Sequence, residues 1–468
     1  MLLPPATGCR ARLPAAIVAA MGYRVICALV AVSLSCSRGG PATQPPQPPG
    51  DSASVAQGDR VLEPGEVIDL GAIDSTAGLS HLLPLVEDAR VVIVGEATHA
   101  DGASVHAISR MVRFLHEQAG FEVFAVESGL YDCAIAQQRA QAGATGEEVA
   151  NACAFRTFRE LEPAGELWDY LASAAATESP LILAGFDNQF SGARGPAFVD
   201  DLAAVLEAHG VGDRLDDSWR RDMDDAMTKL APSPPPDRTP EQRERHRAAI
   251  AQALEALRAS EISGGYERAK WLRILEGLAA EDQSRWLYQH EGHTDEDMNL
   301  RDEQMARNLI WLLTERYPDK RFVVWAATMH NVRNPTLLGQ LDHGSHMHDF
   351  ADFRPAGDWL VSELPELDVV SIGFVGLTGT RGWPGSERST ALPEPTARSF
   401  EAAALATNID YGLVDLRAHR GFAHWLAGSF SAGVVGPPME APWGRVIDAI
   451  AFIRTMTPNQ AVGSAIDR

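Results

Sequence analysis

The stretch Val-Val-Ile-Val-Gly-Glu-Ala-Thr-His at residues 91–99 predicts the centre of the fold. Four consecutive β-branched residues are typical of a strand that is buried on both faces of a parallel sheet. Gly95 lets the backbone turn sharply where the strand ends, and Glu96 and His99 follow at once. Because α/β folds place their chemistry at the carboxyl ends of parallel strands, this pair is a candidate acid/base site. A surface pair is the alternative interpretation.

Three more apolar runs end in the same way further along the chain. Each is followed by a titratable side chain: residues 121–126 by Glu127, residues 180–186 by Asp187, and residues 321–327 by His330. Between the first two strands, an apolar stripe from Ile108 to Leu115 has helical spacing, and Gly120 is placed to close that helix. Successive parallel strands would therefore bring these groups to one edge of a sheet. A charge that merely favours a helix N-terminus is the alternative for Glu127.

The predicted fold class is α/β, with a mostly parallel central sheet flanked by helices and a helical insertion. The insertion spans about residues 197–285, which are highly charged and contain no strand pattern. Within it, Thr239 and Gln242 form a capping box around a proline at the first helical position, which predicts the start of a long helix. This region could cap the active site or serve as a solvated spacer.

Composition argues against a nucleic-acid partner. The chain has 468 residues, with 40 Lys and Arg against 63 Asp and Glu, so its formal net charge is −23. Binding to phosphates requires a basic surface. A small-molecule substrate is expected instead, and the sequence leaves the oligomeric state open.

The N-terminal part indicates a protein that leaves the cytoplasm. Residues 21–36 contain one positive charge, a short apolar run and small residues, so residues 1–36 are predicted to be a signal peptide. Cys36 resembles the lipidated cysteine of a bacterial lipoprotein, with Ser33 where Leu is usual. Residues 37–58 are rich in Pro, Gly, Ser and Gln and predict a disordered tether. We therefore expect a periplasmic or membrane-anchored protein whose folded domain spans residues 59–468.

Two further side-chain groups each allow two interpretations. Cys133 and Cys153 form a disulfide in an oxidising compartment, or else remain as two buried thiols. Three histidines at 343, 346 and 348 lie in a polar stretch that could bind a metal, but their spacing matches no metal signature, and a flexible surface loop is preferred. No metal or cofactor is expected.

Taken together, the motifs resemble the erythromycin esterase family, whose members hydrolyse the lactone ring of macrolide antibiotics. The matching segments are Gly-Glu-x-x-His at 95–99, Gly-Phe to Glu at 120–127, Gly-x-Asp-x-Gln at 185–189, Arg-Asp-x-x-Met-Ala-x-Asn at 301–308, a partial Trp-Ala-His-Asn-x-His at 325–330, and the Thr-Pro ending at 446–458. The resemblance extends over about residues 65–460.

The resemblance implies a mechanism and a set of site residues. His99 would be the general base that activates water, Glu96 would orient it, and Glu127 and His330 would complete the catalytic group. Substrate-binding positions would be Asp187, Arg301 and Asn308. Since no Gly-x-Ser-x-Gly nucleophile motif is present in the sequence, direct attack by water fits better than an acyl-enzyme.

This sequence departs from the family pattern at two positions. Ala327 stands where the family has the first of its paired histidines, and Ile108 stands where it has an arginine. Arg110 lies about 200° further around the helix and is not an obvious substitute. Loss of one proton-transfer group typically costs ~10²–10⁴-fold in rate. A related ester or lactone is therefore a plausible substrate. The alternative function is a ligand-binding lipoprotein on the same scaffold, for example one that binds haem through an exposed axial ligand.

Overall fold

Strand β2 (Val91–Gly95) lies in the interior of the central sheet, and all five of its residues are buried. The burial agrees with its β-branched composition. Gly95, however, serves close packing rather than a turn. A Cβ atom at this position would lie 2.8 Å from the carbonyl oxygen of Ala326 and 2.7 Å from Thr328 Oγ1. The absence of a side chain thus lets the segments that carry Glu96 and His330 approach each other.

The computed structural model describes residues 60–459, apart from 161, 193–196, 216, 233–234, 263–264, 343–346, 384–385 and 387. The predicted signal segment 1–36 with Cys36 and the whole predicted tether 37–58 therefore lie outside the described residues, as do His343 and His346. No helix in the described part of the chain is both long and apolar enough to cross a membrane.

The described strands form one large sheet and two small hairpins. The strands are β1 (Ile68–Asp69), β2, β3 (Val123–Gly129), β4 (Ile182–Asp187), β5 (Phe322–Trp325), β6 (Gln340–Asp342), β7 (Met347–Asp349), β8 (Val369–Arg381), β9 (Thr390–Ala391), β10 (Tyr411–Asp415), β11 (Phe430–Ala432), β12 (Met439–Ala441) and β13 (Ala449–Met456). The order in the large sheet is β1-β10-β13-β8-β2-β5-β3-β4, and β9 pairs with β8.

The sheet is mostly parallel, which confirms the predicted fold class. Neighbours from β13 to β4 all pair in parallel, whereas β10 is antiparallel to both β13 and β1 at one edge. The C-terminal segment that the sequence left open between strand and helix is strand β13. Because β2, β3, β4 and β5 run in the same direction, their carboxyl ends meet at one edge of the sheet.

Helices cover both faces of the sheet. They are α1 (Leu83–Val86), α2 (Gly102–Ala119), α3 (Leu130–Gln141), α4 (Gly146–Cys153), α5 (Arg156–Arg159), α6 (Glu162–Ala174), α7 (Phe198–Ala208), α8 (Asp217–Leu230), α9 (Pro240–Arg258), α10 (Gly265–Glu291), α11 (Asp295–Trp311), α12 (Thr328–Asn331), α13 (Ala356–Glu363) and α14 (Phe400–Leu405). One π-helical turn, Leu312–Arg316, extends α11.

The first face packs against α2, α3, α4 and α6. The predicted stripe of α2 is buried together with Val92 and Val94 of β2. Gly120 ends α2 with a φ of 70°, in the left-handed conformation that glycine adopts most readily. This face also holds the disulfide between Cys133 and Cys153, which joins α3 to α4. The structure thus confirms the disulfide over the alternative of two free thiols.

The second face is covered by the charged helical region that begins at α7. Trp219 of α8, Ile250 of α9 and Ile274 of α10 belong to the same apolar cluster as Val91 and Ile93 of β2. The predicted capping box at Thr239 is present at the start of α9. These helices form a layer against the sheet, so they contribute to its core rather than acting as a solvated spacer.

His348 corrects one prediction. The sequence favoured a flexible surface loop for the three histidines, but His348 lies in β7 and is 4% exposed. Its Nδ1 atom is 2.9 Å from Asp295 Oδ1, at the start of α11. A tertiary ion contact of this kind cannot be read from the polar composition of the stretch itself.

Candidate active site

His99 and Glu96 lie together at the carboxyl end of β2. His99 Nδ1 is 2.6 Å from Glu96 Oε1, and the indole N–H of Trp325 donates to Glu96 Oε2 at 2.5 Å. Glu96 is fully buried, whereas the side chain of His99 is 23% exposed. Among the described residues no partner is found for His99 Nε2. Glu96 therefore accepts the Nδ1 proton and leaves Nε2 free to receive a proton from water.

The surroundings of His99 raise its pKa above the ordinary value. Burial lowers the pKa, but the hydrogen bond to Glu96 and the charges of Glu96 and Glu127 outweigh it, with a small opposing contribution from Arg301. The ring also meets the edges of two aromatic side chains, with centroid distances of 5.2 Å to Phe158 and 6.1 Å to Trp383. Phe158 is 2% exposed and packs beside the ring of His99.

Arg301 connects the ends of β3 and β4. It extends from α11, and its Nη2 donates to Glu127 Oε1 at 2.8 Å and to Asp187 Oδ2 at 2.5 Å. The guanidinium is thus shared between two buried carboxylates. Burial lowers the pKa of Arg301, but the charges of Asp187 and Glu127 raise it more, so the guanidinium stays charged.

His330 is held by a carboxylate that the sequence analysis missed. Its Nδ1 lies 2.9 Å from Asp302 Oδ1, and its Nε2 lies 3.6 Å from Glu127 Oε1 and 3.4 Å from Arg301 Nη1. Burial lowers the pKa of His330, but Asp302 and Glu127 raise it above the ordinary value. Asp302 directly follows Arg301 in the motif at 301–308, which is the one sequence signal that pointed to it.

Glu127 is the negative charge that the two histidines share. Burial would raise its pKa, but His330, Arg301, His99 and the backbone N–H of Ala327 lower it to about 2. The Ala327 N–H donates to Glu127 Oε2 at 2.9 Å. Ala327 stands where the family pattern has a histidine, and it contributes only its backbone N–H as a donor to Glu127. A register shift in the pairing of β3 with β4 lies between Val126 and Gly129 and re-aims this segment.

The remaining predicted positions have mainly structural contacts. Asn308 is 1% exposed; its Nδ2 donates to the carbonyl of Phe186 at 3.0 Å, and its Oδ1 accepts from Gln304. It ties α11 to β4, and a direct contact with substrate stays a prediction. Ile108 is fully buried in the core. Arg110 points to Glu166, at 3.1 Å, on the outer side of α2, so it does not replace the family arginine.

The loop that carries His99 is tied to two distant segments. Asn459 Nδ2 donates to the carbonyl of His99 at 2.7 Å, and the N–H of Gly382 donates to the carbonyl of Ala100 at 3.0 Å. Buried Asp101 pairs with Arg381 through Oδ1 and Nε, 3.0 Å apart. Burial raises the pKa of Asp101 to about 7, with Arg381 opposing the change. None of these contacts has a sequence signal, because their partners lie hundreds of residues apart.

Within the described residues, one group has donor atoms close enough to share a metal ion, and it is separate from this site. It comprises Glu66, His419 and His424. His424 Nε2 lies 3.0 Å from Glu66 Oε1, and the N–H of Leu426 donates to His424 Nδ1. The unprotonated Nδ1 puts the proton on Nε2, where it is donated to Glu66. This arrangement is satisfied as a hydrogen-bonded pair.

Comparison with known proteins identifies the family. The family model described as "Erythromycin esterase" matches residues 116–456. The protein named "Putative hydrolase YbfO" of Bacillus subtilis (strain 168) is 26% identical over 414 residues, which cover 82% of this chain and 88% of that protein.

Solved structures agree on the fold. A mutant of the erythromycin esterase EreC in its open conformation has a TM-score of 0.64 at 16% identity, covering 83% of this chain and 96% of that one. A Bacillus cereus protein has a TM-score of 0.68 at 17% identity, covering 85% and 97%. A succinoglycan biosynthesis protein has a TM-score of 0.67 at 16% identity, covering 84% and 95%. These matches do not favour the alternative of a haem-binding lipoprotein. The chain belongs to the erythromycin esterase family, and this membership supports a hydrolase function.

Proposed function

We propose that this protein hydrolyses a carboxylic ester or lactone by attack of a water molecule that His99 activates. The observation that carries the proposal is the contact between His99 Nδ1 and Glu96 Oε1 at 2.6 Å, in a histidine whose side chain is 23% exposed and whose Nε2 has no partner among the described residues. A histidine so oriented is a general base whose tautomer is fixed.

In the proposed reaction, the water oxygen bonds to the carbonyl carbon while its proton moves to His99 Nε2. The carbonyl oxygen becomes negatively charged, and the protonated His330, held by Asp302, stabilises that charge together with Arg301. When the tetrahedral intermediate breaks down, the bond to the alkoxide oxygen is cleaved and His99 returns its proton to that oxygen. The products are a carboxylic acid and an alcohol, or one hydroxy acid from a lactone.

The substrate we propose to test first is a macrolide lactone, since the family and the relative EreC carry that activity in their names. Macrolide resistance would be the physiological outcome. Ala327 and Ile108 remove two polar groups that the family pattern contains, so a slower reaction on erythromycin than on smaller lactones is expected.

The experiment uses the protein without residues 1–36 and a panel of erythromycin, simple lactones and alkyl esters. Mass spectrometry measures the gain of one water by each substrate. His99→Ala and Glu96→Ala are expected to reduce the rate by roughly 10²–10⁴-fold. His116→Ala is the matched control, because His116 lies at the far end of α2 and is bonded to Tyr170 rather than to the site.

Hydrolysis that persists in His99→Ala would overturn the assignment of the base. Folded wild-type protein that adds water to no substrate in the panel would overturn the esterase proposal itself. Equal loss in His116→Ala would show that the histidine variants act through stability rather than through catalysis.

We also propose that the protein acts outside the cytoplasm, as a periplasmic or lipid-anchored protein attached through Cys36. The disulfide between Cys133 and Cys153 supports this proposal, because disulfides persist mainly in oxidising compartments. Fractionation of cells that express the full chain, with Cys36→Ala as the variant, tests it. Release of the variant from the membrane fraction is expected, and wild-type protein found only in the cytoplasm would contradict the proposal.

A further inference from the structure

Trp383 is an exposed aromatic side chain beside the candidate base. It follows strand β8 and is 51% exposed, which is unusual for a tryptophan. Its ring centroid lies 6.1 Å from that of His99, and the two rings meet at 76°. Of the large apolar side chains exposed in the described part of the chain, Trp383 alone has a ring contact with His99.

The backbone next to Trp383 is fixed to the catalytic loop. The N–H of Gly382 donates to the carbonyl of Ala100, and the carbonyl of Gly382 accepts from the N–H of Asn459, both at 3.0 Å. Arg381, one residue earlier, pairs with Asp101. The exposure of Trp383 is therefore not the exposure of a loose loop tip. The protein holds a large apolar surface open at a defined place next to His99.

The two rings that contact His99 differ in a way that matters for ligands. Phe158 is 2% exposed, so it belongs to the wall behind the base. Trp383 has about half of its surface still free, and a ligand that covers it gains the free energy of apolar burial. A carbonyl group placed at His99 Nε2 would bring the adjoining part of the substrate toward this free surface.

We propose that Trp383 is a substrate-binding residue that selects esters and lactones with an extended apolar portion next to the carbonyl group. The inference rests on the proposed hydrolysis at His99 and adds the substrate class. Small esters would react without using Trp383. Larger apolar ones would bind against its ring, which is a flat, rigid surface suited to such contacts.

The test compares γ-butyrolactone with the larger-ring lactone octanolide in wild type, Trp383→Ala and Trp383→Phe. For octanolide, Trp383→Ala is expected to lower kcat/KM about 10-fold, mainly through KM. For γ-butyrolactone, the change is expected to stay below about twofold, and Trp383→Phe retains most of the wild-type value. Phe422→Ala is the matched control. Phe422 is 69% exposed, and it is not one of the aromatic side chains whose rings contact His99 among the described residues.

Binding of cyclooctanone, a ring ketone that cannot be hydrolysed as an ester, separates this inference from the proposed function. Calorimetry on wild type and Trp383→Ala is expected to show an affinity about 10-fold weaker in the variant. If wild type hydrolyses neither lactone but still binds cyclooctanone through Trp383, the hydrolase proposal fails while the binding role stands. Equal kcat/KM on octanolide in wild type and Trp383→Ala, or equal affinity for the ketone, overturns the inference.

Discussion

Arg301 is the cation that the buried carboxylates of Glu127 and Asp187 share. Glu127 and Asp187 are 3% and 1% exposed, and both accept hydrogen bonds from one guanidinium group. Two parallel donors in a rigid fork suit arginine better than lysine. Arg301 also bears on the protonation of both histidines, because Glu127, with which it pairs, raises the pKa of His99 and of His330.

Replacing Arg301 with Met is therefore expected to destabilise the fold by about 3–5 kcal/mol at neutral pH, the usual cost of leaving buried charges unpaired. Urea unfolding measures the change. Arg307→Met on the same helix is the control, because Arg307 is 58% exposed and pairs with Glu303; its expected cost is below about 1 kcal/mol. Similar losses in the free energy of unfolding in both variants would contradict the conclusion that Arg301 neutralises Glu127 and Asp187.

Glu96 is expected to set the pH at which His99 could act as the proposed base. The pKa of His99 is raised above 6.5 by Glu96, and the base acts only when it is neutral, so kcat/KM is expected to rise with pH through that raised pKa. Glu96→Gln removes the charge, so burial then dominates and lowers the pKa of His99. The rising limb of the pH–rate profile should move to lower pH, with a rate loss of roughly 10–100-fold.

The control for this prediction is Glu117→Gln, since Glu117 lies near the end of α2 and pairs with exposed Arg113. Its profile should match wild type. A rising limb that stays in place in Glu96→Gln would show that another group titrates in the active form.

The sequence predicted the pairing of neighbouring residues and the meeting of the strand ends, but it missed individual partners that come from distant segments. Glu96 and His99 are three residues apart at a strand end, so their pairing was accessible from spacing. Asp302, Trp325 and Asn459 were not predicted as partners. Their side chains reach the site only after β5, α11 and β13 have packed, and no local pattern encodes that geometry.

Helices α3 and α4 are joined by the disulfide, which lies behind β4. The bond closes a loop with a sequence separation of 20 residues, for which loop-closure entropy gives a stabilisation of about 2–4 kcal/mol. The double variant Cys133→Ala, Cys153→Ala should lose about that much in urea unfolding. Reductant should destabilise wild type by a comparable amount and leave the double variant unchanged. If reductant also destabilised the double variant, the loss of stability would not come from the disulfide.

The segment after β13 holds the loop that carries His99, the proposed base. Asn459 donates to the carbonyl of His99, and the N–H of Gly102 donates to the carbonyl of Thr457. Asn459→Ala is expected to lower kcat about 10-fold with a smaller change in KM, because small displacements of a catalytic group are costly. Steady-state kinetics measures both values. Thr455→Ala, an exposed position on β13, is the control; a change confined to KM in Asn459→Ala would contradict positioning.

The helices and strands that could be predicted from the sequence are those whose apolar pattern lies within the element itself. The strand exits at β2, β3, β4 and β5 and the stripe of α2 followed from local composition. The antiparallel direction of β10 and the hairpin of β6 with β7 did not, because direction depends on connections across the sheet. Gly95 was assigned a turning role, whereas its position requires close approach to Ala326 and Thr328.

For the whole molecule, part of the loss of stability at low pH is expected to come from protonation of Glu127. Its pKa is lowered from 4.5 to about 2, so its contribution to folding is complete above pH 4.5 and declines as the pH falls toward 2. Thermal melting of wild type and Glu127→Gln across this range should show a difference in Tm that is largest near neutral pH and shrinks below pH 4.5. A difference that stays constant with pH would contradict this origin.

The position of β13 has a consequence for how the protein is made. Asn459 lies 360 residues after His99, whose carbonyl it holds, and β13 inserts between β8 and β10. At the usual pace of protein synthesis, roughly 20 to 70 s pass between the emergence of these two residues from the ribosome. Throughout that interval the nascent chain carries Glu96 and His99 without the anchor that fixes their loop. If the proposed hydrolysis is correct, we therefore expect full activity to be acquired late in synthesis, because chains that terminate before β13 lack both that strand and the anchor of the loop that carries His99.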